Sequence, residues 1–313
     1  MLAYTFRRLI WMMWVLTIVS ILSFLLVHLA PGDVARVIGG IKASEETIQK
    51  IREQLELDKP IPLQFIYFLK KLFTGELQSL YARRSVFEII LYKLPVTASV
   101  ALGGLVVALL IGFPLGLIAA VKQGSWVDRI GVMTATLGVS IPTFWLGMNL
   151  ILLFAVQLKW LPSGGFVRIT EDFGGWIRSI IMPSFSLGFV QAALLARMTR
   201  SCLLEVLKED YITTARAKGL RESFVLLRHA LRNAMITIVT VVGLIFGLLL
   251  GGAVVTEQVF TLPGVGRMVV EAVSRRDYPT VQGVIIFIAF AYAAVNLIVD
   301  LLYAFLDPRI RYD

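Results

Sequence analysis

Cysteine and histidine are scarce in this sequence, and their scarcity excludes several kinds of site. Cys202 is the single cysteine, so the chain can form no internal disulfide bond. The histidines, His28 and His229, lie far apart, and the sequence contains no CxxC motif or Cys/His cluster. A glycine-rich GxxxxGK[ST] motif is also missing, so no nucleotide-binding P-loop is predicted. We therefore expect no metal site, no cofactor held by this chain and no catalytic residues.

Charged residues are also few, and this points to a membrane protein. Of the 313 residues, 16% are charged and 58% are hydrophobic, whereas soluble domains have about 25% and about 45–50% respectively. The mean hydropathy is +0.80. The net charge of +9 could suggest nucleic acid as a partner. In a membrane protein, however, basic residues usually mark the cytoplasmic ends of spans, so we predict contact with lipid and none with nucleic acid.

Long runs without Asp, Glu, Lys or Arg predict the spans. A helix needs about 20 mostly apolar residues to cross the hydrocarbon core, and a helix satisfies its own backbone hydrogen bonds in lipid. The fourth run is short, includes Pro183, and is expected to extend past Arg197. The fold class predicted is all-α, a polytopic membrane protein with six transmembrane helices. The six runs cover residues 9–32, 94–121, 130–158, 179–196, 233–256 and 278–299.

The distribution of basic residues predicts the orientation and the division of the chain. Arg and Lys are concentrated in the segments that lie inside if the N-terminus is cytoplasmic, which places both termini in the cytoplasm. The first run is long and is followed by no evident small-x-small cleavage site, so we expect an uncleaved span. The predicted regions are a tail and first span (1–32), an external loop region (33–93), a transmembrane core (94–306) with a cytoplasmic loop at 200–232, and a cytoplasmic tail (307–313).

The external region 33–93 is predicted to contain two helices. Ser44 precedes Glu45 and Glu46, a pattern typical of a capped helix start, and this helix should run to about Leu57. A second, amphipathic helix is predicted at 63–73. The region could be a lid packed over the spans or a docking surface for an external partner, and the residues leave both alternatives open.

A polar stretch, "DYITTARAKGL", interrupts the apolar sequence between the fourth and fifth runs. Asp210 suits the first turn of a helix, Lys218 suits the last turn, and Gly219 suits the stop. The face formed by Tyr211, Thr214, Ala215 and Lys218 is too polar and too small to anchor in lipid. We therefore predict a short helix that contacts a cytoplasmic protein.

The segment 220–232 has a different pattern. Its leucines and Phe224 fall on one side of a helix, with arginines elsewhere. Such a basic amphipathic helix can lie at a membrane surface, and this is the expectation for the segment.

Several stretches, in order along essentially the whole chain, resemble ABC-transporter permeases of the peptide/nickel importer family. They are "FRRL" before the first run and "VHLAPGD" at its end, "EDYITTARAKGL" followed by "LLRHALRNA", then "LPGVGR", "RRDYP" and "NLIVDLLYAFLDPRIRY". The resemblance is to the first membrane subunit of the dipeptide, oligopeptide and glutathione group, with a type I ABC importer permease fold. It implies a bacterial or archaeal inner-membrane location, a homologous permease as heterodimer partner, two cytoplasmic subunits that bind ATP, and an external solute-binding protein.

The resemblance also implies a role for the polar helix. In the family, this loop forms a coupling helix that seats in a groove on the ATPase subunit. The general importer motif has EAA and then a glycine; here Thr213, Thr214, Ala215 and Gly219 stand at these positions, without the Glu. The ATPase-coupling residues implied are Tyr211, Thr214, Ala215, Arg216, Ala217, Lys218 and Gly219.

Two rival classes make different demands on the sequence. A secondary transporter or channel that works without an ATPase should carry several ionisable residues deep in its spans, but the six runs have none and Asp300 lies at an edge. A membrane-embedded enzyme should show a cluster such as HExxH, and none occurs. The solute stays open among dipeptides, oligopeptides, glutathione, nickel and others.

Overall fold

The computed structural model describes residues 2–29, 34–39, 43–54 and 56–306, and the predicted tail 307–313 lies outside this range. The described chain is helical, apart from turns and an isolated bridge between Gln78 and Ser85. The helices are α1 (Leu2–Leu29), α2 (Val34–Gly39), α3 (Glu45–Gln54), α4 (Ile61–Thr74), α5 (Val86–Val121), α6 (Trp126–Ser140), α7 (Thr143–Leu150), α8 (Phe173–Val206), α9 (Asp210–Ala217), α10 (Glu222–Phe224), α11 (Leu231–Val259), α12 (Val265–Arg275) and α13 (Tyr278–Leu306).

The helices that can cross a membrane confirm most of the predicted spans. Five are long and apolar enough among the described residues, and a bent pair makes up to a sixth. The fourth predicted run does extend past Arg197, because α8 continues to Val206 with Pro183 inside it. The candidate spans are Thr5–Leu29, Val86–Val121, Phe173–Val206, Glu222–Val259 and Tyr278–Leu301.

The third run, predicted as one helix over 130–158, is instead two helices. The segments Trp126–Ser140 and Thr143–Gln157 meet at 93°. Pro142 lies at the break and has no N–H to donate, and its ring disfavours helical dihedrals in the residue before it. Ile141 accordingly has φ −80° and ψ 121°. After the break, α7 continues into a π-helical segment, Ile151–Gln157.

One compact unit comprises, among the described residues, Val96–Gly266 together with the chain from Val295 to Leu306. Its core is formed mainly by α8 and α11, where Leu187, Leu195, Ile245 and Leu249 are almost fully buried. Glycine allows close approach of helix backbones, as is common between membrane helices. A Cβ atom on Gly112 of α5, for example, would overlap the carbonyl oxygen of Ala192 of α8.

A second compact unit comprises Leu2–Pro95 and Arg267–Ala294. Here α4 packs on α1 through aromatic rings, with ring centroids of Phe24 and Phe65 separated by 5.3 Å. Next to them, His28 Nε2 lies 3.0 Å from Gln64 Oε1. The predicted helix 63–73 is thus confirmed as part of α4, and this helix packs against the first candidate span.

The start of α3 follows the predicted capping pattern. The Thr47 N–H donates to Ser44 Oγ over 3.3 Å, and Glu45 and Glu46 occupy the first turn. The helix ends at Gln54, three residues before the predicted end near Leu57.

A buried carboxylate in the second unit holds the turn between α4 and α5. Asp277 accepts hydrogen bonds from Ser79 Oγ (2.6 Å), from the Leu80 N–H (3.2 Å) and from Thr280 Oγ1 (2.8 Å). The Tyr81 hydroxyl also donates to the carbonyl oxygen of Arg275 over 2.8 Å. Asp277, the aspartate of the RRDYP stretch, is thus the acceptor that fixes the turn between α4 and α5.

Candidate functional site

The polar stretch forms the helix predicted for it. α9 begins after Glu209, whose φ of −68° and ψ of 144° are extended, and Asp210 lies in the first turn. Gly219 has φ +75°, the left-handed conformation that glycine adopts without a steric penalty. Its N–H donates to the Arg216 carbonyl oxygen over 2.9 Å. The sequence thus predicted both the start and the stop of the helix.

One face of α9 is buried against the chain itself. Ile212 is 0% exposed and Ala215 is 6% exposed, and both belong to the same apolar core as Val225 and Ala230. The predicted surface for a partner included Ala215, so this placement is corrected. The methyl group of Ala215 lets α9 lie close to its own core. Ala215 can therefore affect coupling only by setting the position of α9.

The rest of the surface of α9 is exposed, and it carries the other candidate residues. Tyr211 is partly fixed, because its hydroxyl oxygen accepts a hydrogen bond from Asn233 Nδ2 over 2.8 Å. Thr214 Oγ1 donates to the Asp210 carbonyl oxygen over 2.9 Å. The structure thus brings six of the seven predicted residues to the exposed surface: Tyr211, Thr214, Arg216, Ala217, Lys218 and Gly219.

An ion pair closes the turn that follows α9. Arg216 donates from Nη2 to Glu222 Oε1 over 2.6 Å and from Nε to Glu222 Oε2 over 3.1 Å. This hydrogen bonding raises the pKa of Arg216 above its usual value, so the side chain stays charged. Sequence reasoning did not find Glu222 as the partner; the signal was its position just beyond the glycine that reverses the chain.

The prediction that the segment 220–232 forms a separate helix at the membrane surface is wrong. The chain is helical without a break from Glu222 to Val259, with a π-helical segment at Val225–Ala230. No proline or glycine occurs between Glu222 and Gly243 to stop it. This segment is therefore continuous with the helix that contains the fifth predicted span, and α9 is joined to that helix by a short turn.

At the other end of this span, a buried glutamate organises the LPGVG turn. Glu257 is 0% exposed and accepts a hydrogen bond of 2.6 Å from Thr97 Oγ1 on α5. Thr97 Oγ1 in turn accepts from the Val265 N–H over 2.9 Å. A Cβ atom on Gly264 would overlap the Glu257 carboxylate. The turn is thus fixed to α5 and α11 together.

Sequence reasoning missed Glu257 because it treated LPGVG as an isolated turn. The available signal was an acid at the very end of a long apolar run, a few residues before the glycines.

A third buried carboxylate fixes the turn after α5. Asp128 is 4% exposed and accepts from Arg200 Nε over 2.6 Å and from Arg200 Nη2 over 2.8 Å. The Gly124 N–H also donates to it over 2.9 Å. Charge-assisted, two-pronged bonds of this kind are geometrically specific, so they join this turn firmly to α8.

The exposed side of α9 offers hydrogen-bond donors, acceptors and cations, a set suited to contact with a protein surface. Within the described part of the chain, no group of three or more His, Cys, Asp or Glu side chains is placed to hold a metal ion.

Comparison with solved structures identifies the fold. The chain is similar to the inward-facing MetNI methionine ABC transporter in its native CY5 crystal form, with a TM-score of 0.56 over 71% of this chain and 97% of that one, at 16% identity. A second crystal form of the same transporter gives a TM-score of 0.58. The fold is therefore that of an ABC importer permease.

Sequence comparison identifies the family. Residues 112–312 match the binding-protein-dependent transport system inner membrane component, and residues 1–101 match the N-terminal region of such components. The chain belongs to this family and is a permease subunit of a transport system. It is 48% identical over 301 residues, 96% of each chain, to a protein of Brucella abortus (strain 2308) provisionally named a peptide transport system permease protein. It is also 44% identical over 313 residues, all of both chains, to the glutathione transport system permease protein GsiC of Pectobacterium atrosepticum.

Proposed function

We propose that the chain is one of two homologous permease subunits that together form the pathway of an ATP-driven importer for peptides or related small solutes. The names of the Brucella and Pectobacterium relatives support this class of solute. The observation that carries the proposal is α9: a polar helix, exposed on one side, whose other side is buried in the permease core.

The placement of α9 suggests how motion reaches the spans. It lies between the end of α8 at Val206 and the start of the next span at Glu222. Ile212 and Ala215 belong to the same close-packed core as residues of α8 and α11, and packed interiors transmit displacement because they are not freely deformable. A push on the exposed face of α9 thus moves both spans.

The remaining partners follow from this role. Two cytoplasmic subunits bind the ATP, this chain holds no cofactor, and α9 seats in a groove on one of them. A solute-binding protein delivers the solute from outside, and this subunit is the first of two permeases in a heterodimer. The concentration of Arg and Lys in the segments that include α9 supports an orientation with both termini cytoplasmic in the inner membrane.

The test uses a tryptophan on the exposed face of α9. Ala217→Trp should leave the permease folded, because residue 217 is exposed, but it should block seating of the ATPase. In vesicles containing the whole transporter, solute uptake and stimulated ATP hydrolysis should both fall at least tenfold. Leu227→Trp is the matched control, because Leu227 is 59% exposed but lies on the span. Normal uptake by Ala217→Trp would refute the assignment.

A secondary transporter or channel would take up solute without ATPase subunits. For the proposed importer, we expect that the two permeases without their ATPase subunits take up no solute. Solute-specific uptake driven by an ion gradient alone would support that alternative and contradict an ATP-driven importer.

A further inference from the structure

A cavity of about 300 Å³ within the second unit is not used by the proposed function. Four elements form its walls: α1, the end of α4, the start of α5 and α13. The lining side chains are aliphatic or aromatic except for Ser20 and Ser85. Representative lining residues are Leu16, Phe73, Ile90, Ile286, Phe287 and Phe290.

The cavity runs along the spans. On α13 it is lined by Gly283, Ile286, Phe287 and Phe290, a stripe with helical spacing that rises about 10 Å over seven residues. The stripe starts near the beginning of the span Tyr278–Leu301 and ends near its middle. One leaflet of the hydrocarbon core is about 15 Å deep, half of about 30 Å. The cavity therefore extends over about two-thirds of the depth of a single leaflet.

The cavity is open at a rim of exposed phenyl rings. Phe73, Phe87 and Phe290 are 84%, 55% and 49% exposed. Phe290 and the lining residues Leu16 and Ile286 lie within the uncharged runs of helices that can span the membrane, so this part of the cavity lies at the depth of the hydrocarbon. Apolar cavities do not fill with water, and an unfilled one leaves its walls without dispersion partners. A lipid tail can enter without losing any hydration, since it already lies in an apolar medium.

The polar end of the cavity also suits a lipid. There α4 exposes apolar side chains, Ile66 at 59% and Phe73 at 84%, as expected of a helix in the membrane interface. Exposed charges of both signs flank this end in sequence: Lys70, Arg83 and Arg84 are basic, and Glu76 and Glu88 are acidic. This mixture fits a zwitterionic headgroup, whereas a purely basic rim would favour an anionic one.

We propose that this cavity binds one acyl chain of a bilayer phospholipid, with phosphatidylethanolamine as the fitting headgroup class. The chain lies along α13, beside α1 and α5. In the orientation proposed above, the lipid belongs to the external leaflet. The site is independent of the coupling role of α9, so either can fail alone.

The experiment is photolabelling of the complete transporter in vesicles of phosphatidylethanolamine and phosphatidylglycerol. A small fraction of the phosphatidylethanolamine carries a photoreactive diazirine on its acyl chain. After illumination, digestion and mass spectrometry, labels should be several-fold enriched on the stripe Gly283–Phe290 and on α1 near Leu16, relative to other faces of the same helices.

Two tryptophan variants on adjacent residues sharpen the result. Ile286→Trp fills the cavity and should reduce labelling of the stripe several-fold. Ile285→Trp, on a half-buried neighbour that does not line the cavity, should leave it unchanged. If Ile286→Trp does not assemble, Ser20→Leu fills the cavity from α1 and serves the same purpose.

Three outcomes would overturn the proposal. Labels spread evenly around α13 would mean ordinary annular lipid. Labelling insensitive to both filling variants would place the lipid elsewhere. A cross-link from this stripe to the second permease, with no lipid label, would show that a protein helix occupies the cavity.

Discussion

The two ends of the span Glu222–Val259 are held in different ways. At one end, the buried Glu257 carboxylate bonds Thr97, and the LPGVG turn is fixed by polar contacts that have no access to solvent. At the other end, α9 is held by two apolar side chains, Ile212 and Ala215, while its polar groups stay exposed. Buried polar bonds fix a geometry, because leaving them unmade is costly. The polar side chains Tyr211 and Arg216 of α9 bond to Asn233 and Glu222, which are themselves exposed. These groups thus remain at the surface, where another protein can reach them, which is what a coupling surface requires.

The largest effect is expected at the fixed end. Glu257→Leu removes the acceptor of the buried Thr97 hydroxyl, which in turn holds the Val265 N–H of the loop, so the free energy of unfolding should fall by roughly 3 kcal/mol. The free energy of unfolding is measured by denaturant titration of the purified chain in detergent, with the circular-dichroism signal of the helices as the readout. Glu257→Gln keeps an acceptor in the same place and should cost less than half as much. Equal stability of the leucine variant and the native chain would contradict the anchoring role.

A smaller, local effect is expected at the α9 end. Ile212→Ala removes a fully buried side chain, which typically costs roughly 2 kcal/mol or more. Because α9 is short and peripheral, this loss should appear as local opening, with the global unfolding midpoint hardly changed. Amide hydrogen exchange should speed up in Asp210–Ala217 and stay unchanged in α8. Exchange that also speeds up throughout α8 would show that α9 and the core open as one unit.

The smallest effect on stability is expected for the ion pair after α9. The Arg216 and Glu222 side chains are 42% and 62% exposed, and such pairs contribute roughly 0.5 kcal/mol. Arg216→Ala should thus leave unfolding nearly unchanged but reduce stimulated ATP hydrolysis of the whole transporter. The exposed pair Lys50–Glu46 on α3 offers a control, since Lys50→Ala should change neither quantity. A variant at Arg216 with full hydrolysis would show that the pair is only structural.

The spans and the short helix were predictable from sequence because each depends on local signals. An uncharged run of about 20 residues has few alternatives to a membrane helix, and Gly219 marked the end of α9 correctly. The break at Pro142 was also a local signal, yet the length of the apolar run outweighed it in the prediction.

What could not be predicted depends on contacts between distant parts of the chain. Helical spacing placed Ala215 on the same face as Tyr211, but which side of α9 meets the core is decided by α8 and α11. Glu257 gains its role from Thr97, 160 residues earlier, and the pair Asp128–Arg200 joins residues 72 apart. A single sequence contains no periodicity that reports such pairs. The coupling role of the α9 residues is still a prediction, although the geometry of the helix agrees with it.

The Asp277 cluster also bears on the order in which the protein can be completed. Ser79 and Asp277 are separated by 198 residues, and contacts this distant in sequence form late because a large loop must first be closed. Ser79, Leu80 and Tyr81 leave the ribosome early, but their acceptors arrive with α12 and the start of α13. The turn before α5 can therefore reach its final geometry only after the chain has been synthesised through Asp277. Chains that stop before Asp277 would leave the Ser79 hydroxyl and the Leu80 N–H without this acceptor, so completion of the turn reports that synthesis has reached the last span.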